Sequence, residues 1–310
     1  MSISFKVAFI SDIHTDFYIP SGAAGHKLEK RMNDFIDNQL QPIEADILVF
    51  AGDNSHYPLQ NKLMLELLAA KHWYKKIFVT FGNHDMYLVS NSQRDTYKKS
   101  WEKIEHLKSI CADIDTVEFL DGNVVEVDGI KIGGAGMWYD FSYGFKDGMS
   151  HQAMMSLWKT ESNDPNLIAG DNAANVLRDK FEMYYDNYGG RRRTSCTFNP
   201  LNFFEKEKEK LAKIVDKSDI FISHMGPYVP PDLNPEFDDS TTGFYFFDGE
   251  EYLFSDNAPK LWFFGHVHDR YNFKVGNTKL VSNPLGYKDQ KLKHHIQVID
   301  YFDLDNFNFK

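Results

Sequence analysis

Seven side chains that follow short apolar runs are of the kinds that bind divalent metals: Asp12, His14, Asp53, Asn83, His224, His266 and His268. They arrive in five clusters, Asp12-x-His14, Gly52-Asp53, Gly82-Asn83-His84-Asp85, Ser223-His224 and Gly265-His266-Val267-His268. Oxygen ligands alone would suit calcium or magnesium, and thiolates would suit structural zinc. A mixture of imidazole and carboxylate suits manganese, iron, nickel or zinc in a working site. Seven ligands are too many for one tetrahedral ion and fit two ions that share a carboxylate. Asp53 is the natural bridge, since it is the ligand of its cluster and has an oxygen for each ion.

The chemistry follows from charge. Two divalent ions carry four positive charges, and Asp12 and Asp53 return two, because histidine and asparagine bind as neutral groups. A centre near plus two attracts a phosphate oxyanion and lowers the pKa of a bridging water toward neutrality. In-line attack on phosphorus then needs the leaving alkoxide to be stabilised on the opposite side. His84 suits that task, with Asp85 beside it expected to orient the imidazole and favour its protonated form.

The ordered series Asp-x-His, Gly-Asp, Gly-Asn-His-Asp, a later His and Gly-His-x-His resembles the signature of the calcineurin-like metallophosphoesterases, most closely small bacterial or phage-type members. The likeness covers most of residues 5 to 139 and 218 to 287, and extends to Trp138-Tyr139-Asp140-Phe141 and Asn283-Pro284-Leu285-Gly286-Tyr287. It implies one ion held by Asp12, His14, Asp53 and His268 and a second held by Asp53, Asn83, His224 and His266. It also implies that His84 faces the substrate without ligating. There is one departure. Many members carry a further acid shortly after the Gly-Asp, whereas this chain reads Gly52-Asp53-Asn54-Ser55-His56; the difference weakens a nuclease-type assignment.

The elements that must position these groups can be read as well. Val7 to Ile10, Ile47 to Ala51, Ile77 to Phe81, Asp219 to Ile222 and Leu261 to Phe264 have the length and composition of buried strands. Ligands in α/β proteins collect at the carboxyl ends of such strands. Helical periodicity is expected at Leu28 to Leu40, Leu59 to His72, Arg94 to Ser109 and Asn202 to Lys217. Asp128-Gly129 and Gly276-Asn277 read as the turns of two hairpins. The expected fold is α/β, a four-layer α/β/β/α sandwich of mixed sheets in a single domain over residues 1 to 310. A cap insertion is expected at 140 to 200, with helical pieces at Ser150 to Thr160 and Asn172 to Asn187. The insertion and the loop from Tyr228 to Gly249 are the expected walls of the site. Trp138 and Tyr139 at the entrance, His56 on the loop after Asp53, and an arginine clamp at Arg191, Arg192 and Arg193 are candidate substrate contacts. The remaining histidines read as solvated surface.

Composition narrows the surroundings. The chain has 310 residues, 42% of them hydrophobic, enough to bury a substantial core. A net charge of −11 disfavours extended nucleic acid as a partner. There is no apolar run long enough to cross a membrane and no disulfide framework in two cysteines, so a cytoplasmic protein with no membrane or evident protein partner is expected. The functional expectation is metal-dependent hydrolysis of a small phosphate ester, monoester or diester, with two ions (manganese favoured in vitro; iron, zinc and nickel admissible). The alternatives are a DNA-end nuclease of the same superfamily and a catalytically silent metal-binding scaffold.

Overall fold

A computed structural model describes residues 4–41, 43–170, 183–185, 191–193, 198–235, 240–290 and 295–309. In it the five apolar runs are strands, and all five belong to two mixed sheets. The first sheet contains β1 (Lys6–Ile10), β2 (Ile47–Ala51), β3 (Lys76–Thr80) and β4 (Val117–Phe119). The hairpin of β5 (Asn123–Val127) and β6 (Ile130–Gly134) opens the second sheet, and β7 (Met183–Tyr185) and β8 (Arg191–Arg193) form a separate small ladder. The second sheet continues with β9 (Ile220–Ile222), β10 (Leu261–Phe264), β11 (Tyr271–Val275) and β12 (Thr278–Ser282), while β13 (Gln297–Asp300) returns to the first. The orders are β13-β1-β2-β3-β4 and β11-β12-β10-β9-β6-β5.

The central strands of both sheets are parallel to their neighbours, and antiparallel strands lie only at edges. Parallel strands covered on both faces must be apolar throughout, which is why these segments read as unbroken runs. One set of alternate residues forms the core between the sheets: Val7, Phe9, Ile47 and Val49 face Ile220, Ile222, Leu261 and Phe263. The rings of Phe9 and Phe263 meet across it with centroids 4.5 Å apart. The other set, including Ile10, Phe50, Val79, Phe221 and Trp262, packs with the helices Gly25–Gln39, Pro58–Ala70, Ser100–Ala112 and Pro200–Ile214. The result is the four-layer α/β/β/α arrangement.

Both hairpins form where expected. Asp128 and Gly129 have φ of 50° and 82°, the pair of positive values a type I′ turn needs. The helix expected over Arg94 to Ser109 is divided into Asn91–Thr96 and Ser100–Ala112. The break has a tertiary cause: the Ser100 amide donates to the Ala169 carbonyl and the Ala169 amide donates to the Ser100 hydroxyl, so the second helix starts where the segment running from residue 140 to Ala169 docks. Within that segment, His151–Glu161 is helical behind Ser150, whose hydroxyl caps the Ala153 amide. The helix expected over Asn172 to Asn187 is corrected at residues 183–185, which are strand; the rest of that range lies outside the described residues.

Glu207, on the helix Pro200–Ile214, is buried. It accepts from the Met137 amide at 3.3 Å and from Lys210 at 2.6 Å, tying that helix to the chain leaving β6. Burial raises its pKa to about 7, against the pull of Lys210 and with the help of Asp121. The folded state therefore keeps a proton that the unfolded chain gives up near the ordinary glutamate value. The stability this provides is complete at low pH and is lost as pH rises through about 7, by roughly 3 kcal/mol. Glu207→Gln should flatten that decline, which urea unfolding at a series of pH values will show; an unchanged slope would refute the assignment.

Candidate metal centre

The five clusters converge because parallel strands deliver their carboxyl ends to one edge, where the two sheets are sewn together. The Asp12 amide donates to Gly52 O, the His14 amide to Asp53 O and the Gly265 amide to His224 O. The Asn283–Gly286 segment, coming from β12 of the other sheet, pairs with Ser11 and Asp12 through three backbone hydrogen bonds of 2.9 to 3.0 Å. Each strand must turn sharply at this seam. Asp12, His14, Asp53 and His266 accordingly take positive φ of 50°, 41°, 55° and 68°, a backbone state costing a non-glycine residue about 1–3 kcal/mol. Gly82 is required for another reason: a Cβ there would lie 2.2 Å from Asp53 Oδ1 and 2.5 Å from His224 Nε2.

The donor atoms lie close enough to share ions. His14 Nε2 is 3.2 Å from His268 Nε2 and 3.8 Å from Asp53 Oδ2, and His268 Nε2 is 3.6 Å from Asp12 Oδ1. On the other side, His224 Nε2 is 3.4 Å from Asp53 Oδ2, and Asn83 Oδ1 is 3.2 Å from His224 Nε2 and 3.1 Å from His266 Nδ1. Ligands on bonds of about 2.1 Å stand roughly 3.0–3.4 Å apart, so the spacing approaches that of a filled shell. The Asp53 carboxylate sits between the two groups, with Oδ2 directed to both and Oδ1 accepting from the His84 amide at 2.8 Å.

Outer partners decide which way each donor points. The far nitrogen of His224 meets Ala51 O at 2.8 Å, that of His266 meets Phe244 O at 3.0 Å, and that of His268 meets Gln290 Oε1 at 2.7 Å. A carbonyl oxygen only accepts, so in each neutral ring the far nitrogen carries the proton and the near one presents a lone pair. Asn83 is oriented in the same manner, its amide nitrogen donating to Asp164 at 3.0 Å and to Tyr87 at 2.9 Å, which leaves Oδ1 inward. Burial pushes His14 down to about 4 and His266 down to about 3, keeping both neutral. Burial opposes a charge on His224 as well, but Asp53 outweighs it and raises the ring to about 9. Asp53 itself is held well below the carboxylate range, its burial outweighed by His224, His84 and His14. The donor set fits a pair of divalent cations.

Residues 5–270 match the family model described as calcineurin-like phosphoesterase. The chain belongs to that family. It is similar to uncharacterized protein L509 of Acanthamoeba polyphaga mimivirus, with 20% identity over 301 residues covering 96% of each chain. Among solved structures it is similar in fold to phosphopantetheinyl hydrolase from Mycobacterium tuberculosis, with TM-score 0.64, 15% identity and coverage of 96% and 97%. The calcineurin-like phosphoesterase fold and the metal dependence of the family agree with the convergence of Asp and His groups seen here.

Other expected site residues lie elsewhere. Asp85 does not touch the His84 imidazole. Its carboxylate accepts the amides of Asp53 at 2.8 Å, Asn54 at 3.2 Å and Gly82 at 2.9 Å, so it organises the loops that carry the ligands. Trp138 and Tyr139 are wholly buried and so do not line the entrance: Trp138 packs on Phe198 and Phe203, and the Tyr139 hydroxyl donates to Asp164 at 2.5 Å. The side chains of Arg191, Arg192 and Arg193 lie outside the described residues. His56 does reach the centre, with Nε2 2.9 Å from His84 Nδ1.

Asp164, whose carboxylate accepts from Asn83, carried no signal in the sequence, and Tyr287 was marked only as part of the family-like segment Asn283-Pro284-Leu285-Gly286-Tyr287, with no role; its hydroxyl stands 3.0 Å from His84 Nε2. A cavity of about 240 Å³ opens over Asp53, Asn83, His84 and His266, with Glu161 to Asp164 on one wall and Thr241, Phe244 and Tyr245 on another. A larger hollow of about 1030 Å³ beside Trp101, Phe203 and Lys210 holds none of the seven candidate ligands, and the chemistry places the site in the smaller one.

Asp53→Ala should abolish binding at both positions. Asp164→Ala should weaken retention of the ion at Asn83 by about 10–100-fold while sparing the other. Calorimetric titration of the stripped proteins with manganese distinguishes the two; equal losses at both positions in the Asp164 variant would show that it acts on the fold and not on Asn83.

Proposed function

We propose that this chain hydrolyses a small phosphate ester, monoester or diester, with two divalent ions at the seven residues described and with His84 assisting the leaving group. The observation that carries the reading is the convergence of Asp12, His14, Asp53, Asn83, His224, His266 and His268, three of the histidines having one ring nitrogen on a carbonyl partner and the other turned inward. When bound, such ions supply Lewis-acid activation of water and neutralise phosphate charge.

The chain's own groups support the rest. His84 lies at the floor of the cavity with Nε2 directed to Tyr287. Burial holds its pKa well below the ordinary histidine value despite the charge of Asp53, so it rests neutral. A phosphate monoester monoanion entering the cavity brings a proton, and the negative charge that either a monoester or a diester places beside the ring favours the imidazolium needed to protonate a leaving oxygen. Asp85, Tyr87 and Asp164 keep His84 and Asn83 in place from behind.

A cavity of about 240 Å³ supports a small substrate. The net charge of −11 and the exposed Glu161 on its rim weigh against a polynucleotide. Buried, free Cys111 accords with a reducing, cytoplasmic setting.

Manganese-loaded protein should hydrolyse p-nitrophenyl phosphate or its bis ester and leave a DNA oligonucleotide intact. His84→Ala should keep both ions and lose about 10²–10⁴-fold in kcat. Full activity in that variant would remove His84 from the mechanism. A wild-type protein holding two ions and inactive on every ester would be the silent scaffold.

A further inference from the structure

His84 is held at Nδ1 by a group that the expected chemistry does not include. The Asp16 carboxylate grips His56 twice, with Oδ1 accepting the His56 amide at 3.1 Å and Oδ2 lying 2.8 Å from His56 Nδ1. His56 Nε2 in turn lies 2.9 Å from His84 Nδ1, and the two rings are only 9° from parallel with centroids 4.9 Å apart. Both supporting side chains are sheltered, Asp16 being 5% exposed and His56 12%. Phe17 and Tyr87 flank the His56 ring, and the Gln93 amide anchors the His56 carbonyl at 2.6 Å.

We propose that Asp16 and His56 are positioning residues for His84, which together hold its ring orientation and tautomer. The proton placement follows from donor and acceptor capacity. An ionised carboxylate only accepts, so His56 carries a proton on Nδ1; with one proton on each ring, His56 Nε2 offers a lone pair and His84 supplies the N–H from its own Nδ1. His84 Nε2 is left facing the cavity and the Tyr287 hydroxyl, 3.0 Å away, as the nitrogen able to exchange a proton with substrate. Without His56 the ring is free to turn over or to protonate at the wrong nitrogen. The proposal rests on the phosphoesterase reading for its kinetic consequence, but not for its structural one.

Two measurements separate these. In zinc-loaded protein labelled with ¹⁵N-histidine, the His84 resonances, assigned by their loss in His84→Ala, should show the proton on Nδ1 and should move to Nε2–H in His56→Ala. An unchanged tautomer would overturn the relay, whatever the enzyme's activity.

In manganese-loaded protein, His56→Ala should lower kcat by about tenfold or more, leaving KM and ion content nearly unchanged. The loss should be greater for phenyl phosphate than for p-nitrophenyl phosphate, because the poorer leaving group depends more on proton donation. His56→Gln, whose amide oxygen can accept from His84 Nδ1, should recover most of the rate, and His56→Ala should cost nothing further in a His84→Ala background. Equal losses on the two esters, or a further loss in that background, would reduce His56 to a structural residue. Absence of turnover in the wild type would defeat the phosphoesterase reading and leave the tautomer measurement to decide the relay.

Discussion

Asp53 imposes the constraint on which the rest of the site depends. Its carboxylate is buried where the two sheets meet, and an isolated charge in that position would be prohibitive. The fold answers by surrounding it with groups that favour the anion: the His84 amide on one oxygen, His14 and His224 directed to the other, and a backbone loop fixed by Asp85. Of these groups His224 acts most strongly on Asp53, which in return raises the imidazole to about 9. Asp53 and His224 would hold a divalent cation only with the imidazole deprotonated, so the polarity that makes Asp53 costly to bury would also favour a cation there.

Placing that carboxylate has a structural cost that the packing of the sheets offsets. Four candidate ligands occupy left-handed backbone, and Gly82 admits no side chain. These turns are held from both sides, since the segment after β12 bonds to the chain after β1 and the loops after β1 and β2 bond to one another. The segment around Asp164 adds a further brace. Asp164 reaches back to Asn83, Tyr87 and Tyr139, so the wall of the cavity and the orientation of the candidate ligand Asn83 share one buried carboxylate. A change that displaces Asp164 will therefore be felt at Asn83.

The histidines show how much identity alone conceals. His84, His56 and His224 are the same residue type within one buried region, yet His224 is pushed toward the charged form and His84 toward the neutral one. The difference lies in what each meets: His224 Nε2 faces the Asp53 oxygen, while the nitrogens of His84 meet the His56 ring and the Tyr287 hydroxyl, neither of them a carboxylate. Asp85, adjacent to His84 in sequence, spends its carboxylate on backbone amides of another loop, and Asp16, far away in sequence, serves the imidazole through His56.

The strands of both sheets were legible from residue type, because strands covered on both faces must be apolar along their whole length. So was the hairpin at Asp128-Gly129, because few residue pairs tolerate positive φ twice in succession. The clusters that collect at the strand ends were legible for the same reason, each being a local pattern of residue types next to a local pattern of burial. The division of the helix near Arg94, the burial of Trp138 and Tyr139, and the roles of Asp16, Asp164 and Tyr287 were decided only in three dimensions. These depend on contacts between segments far apart in the chain, such as Ser100 with Ala169, Asn83 with Asp164 and His84 with Tyr287, and no local periodicity or spacing records which distant group will satisfy a buried donor.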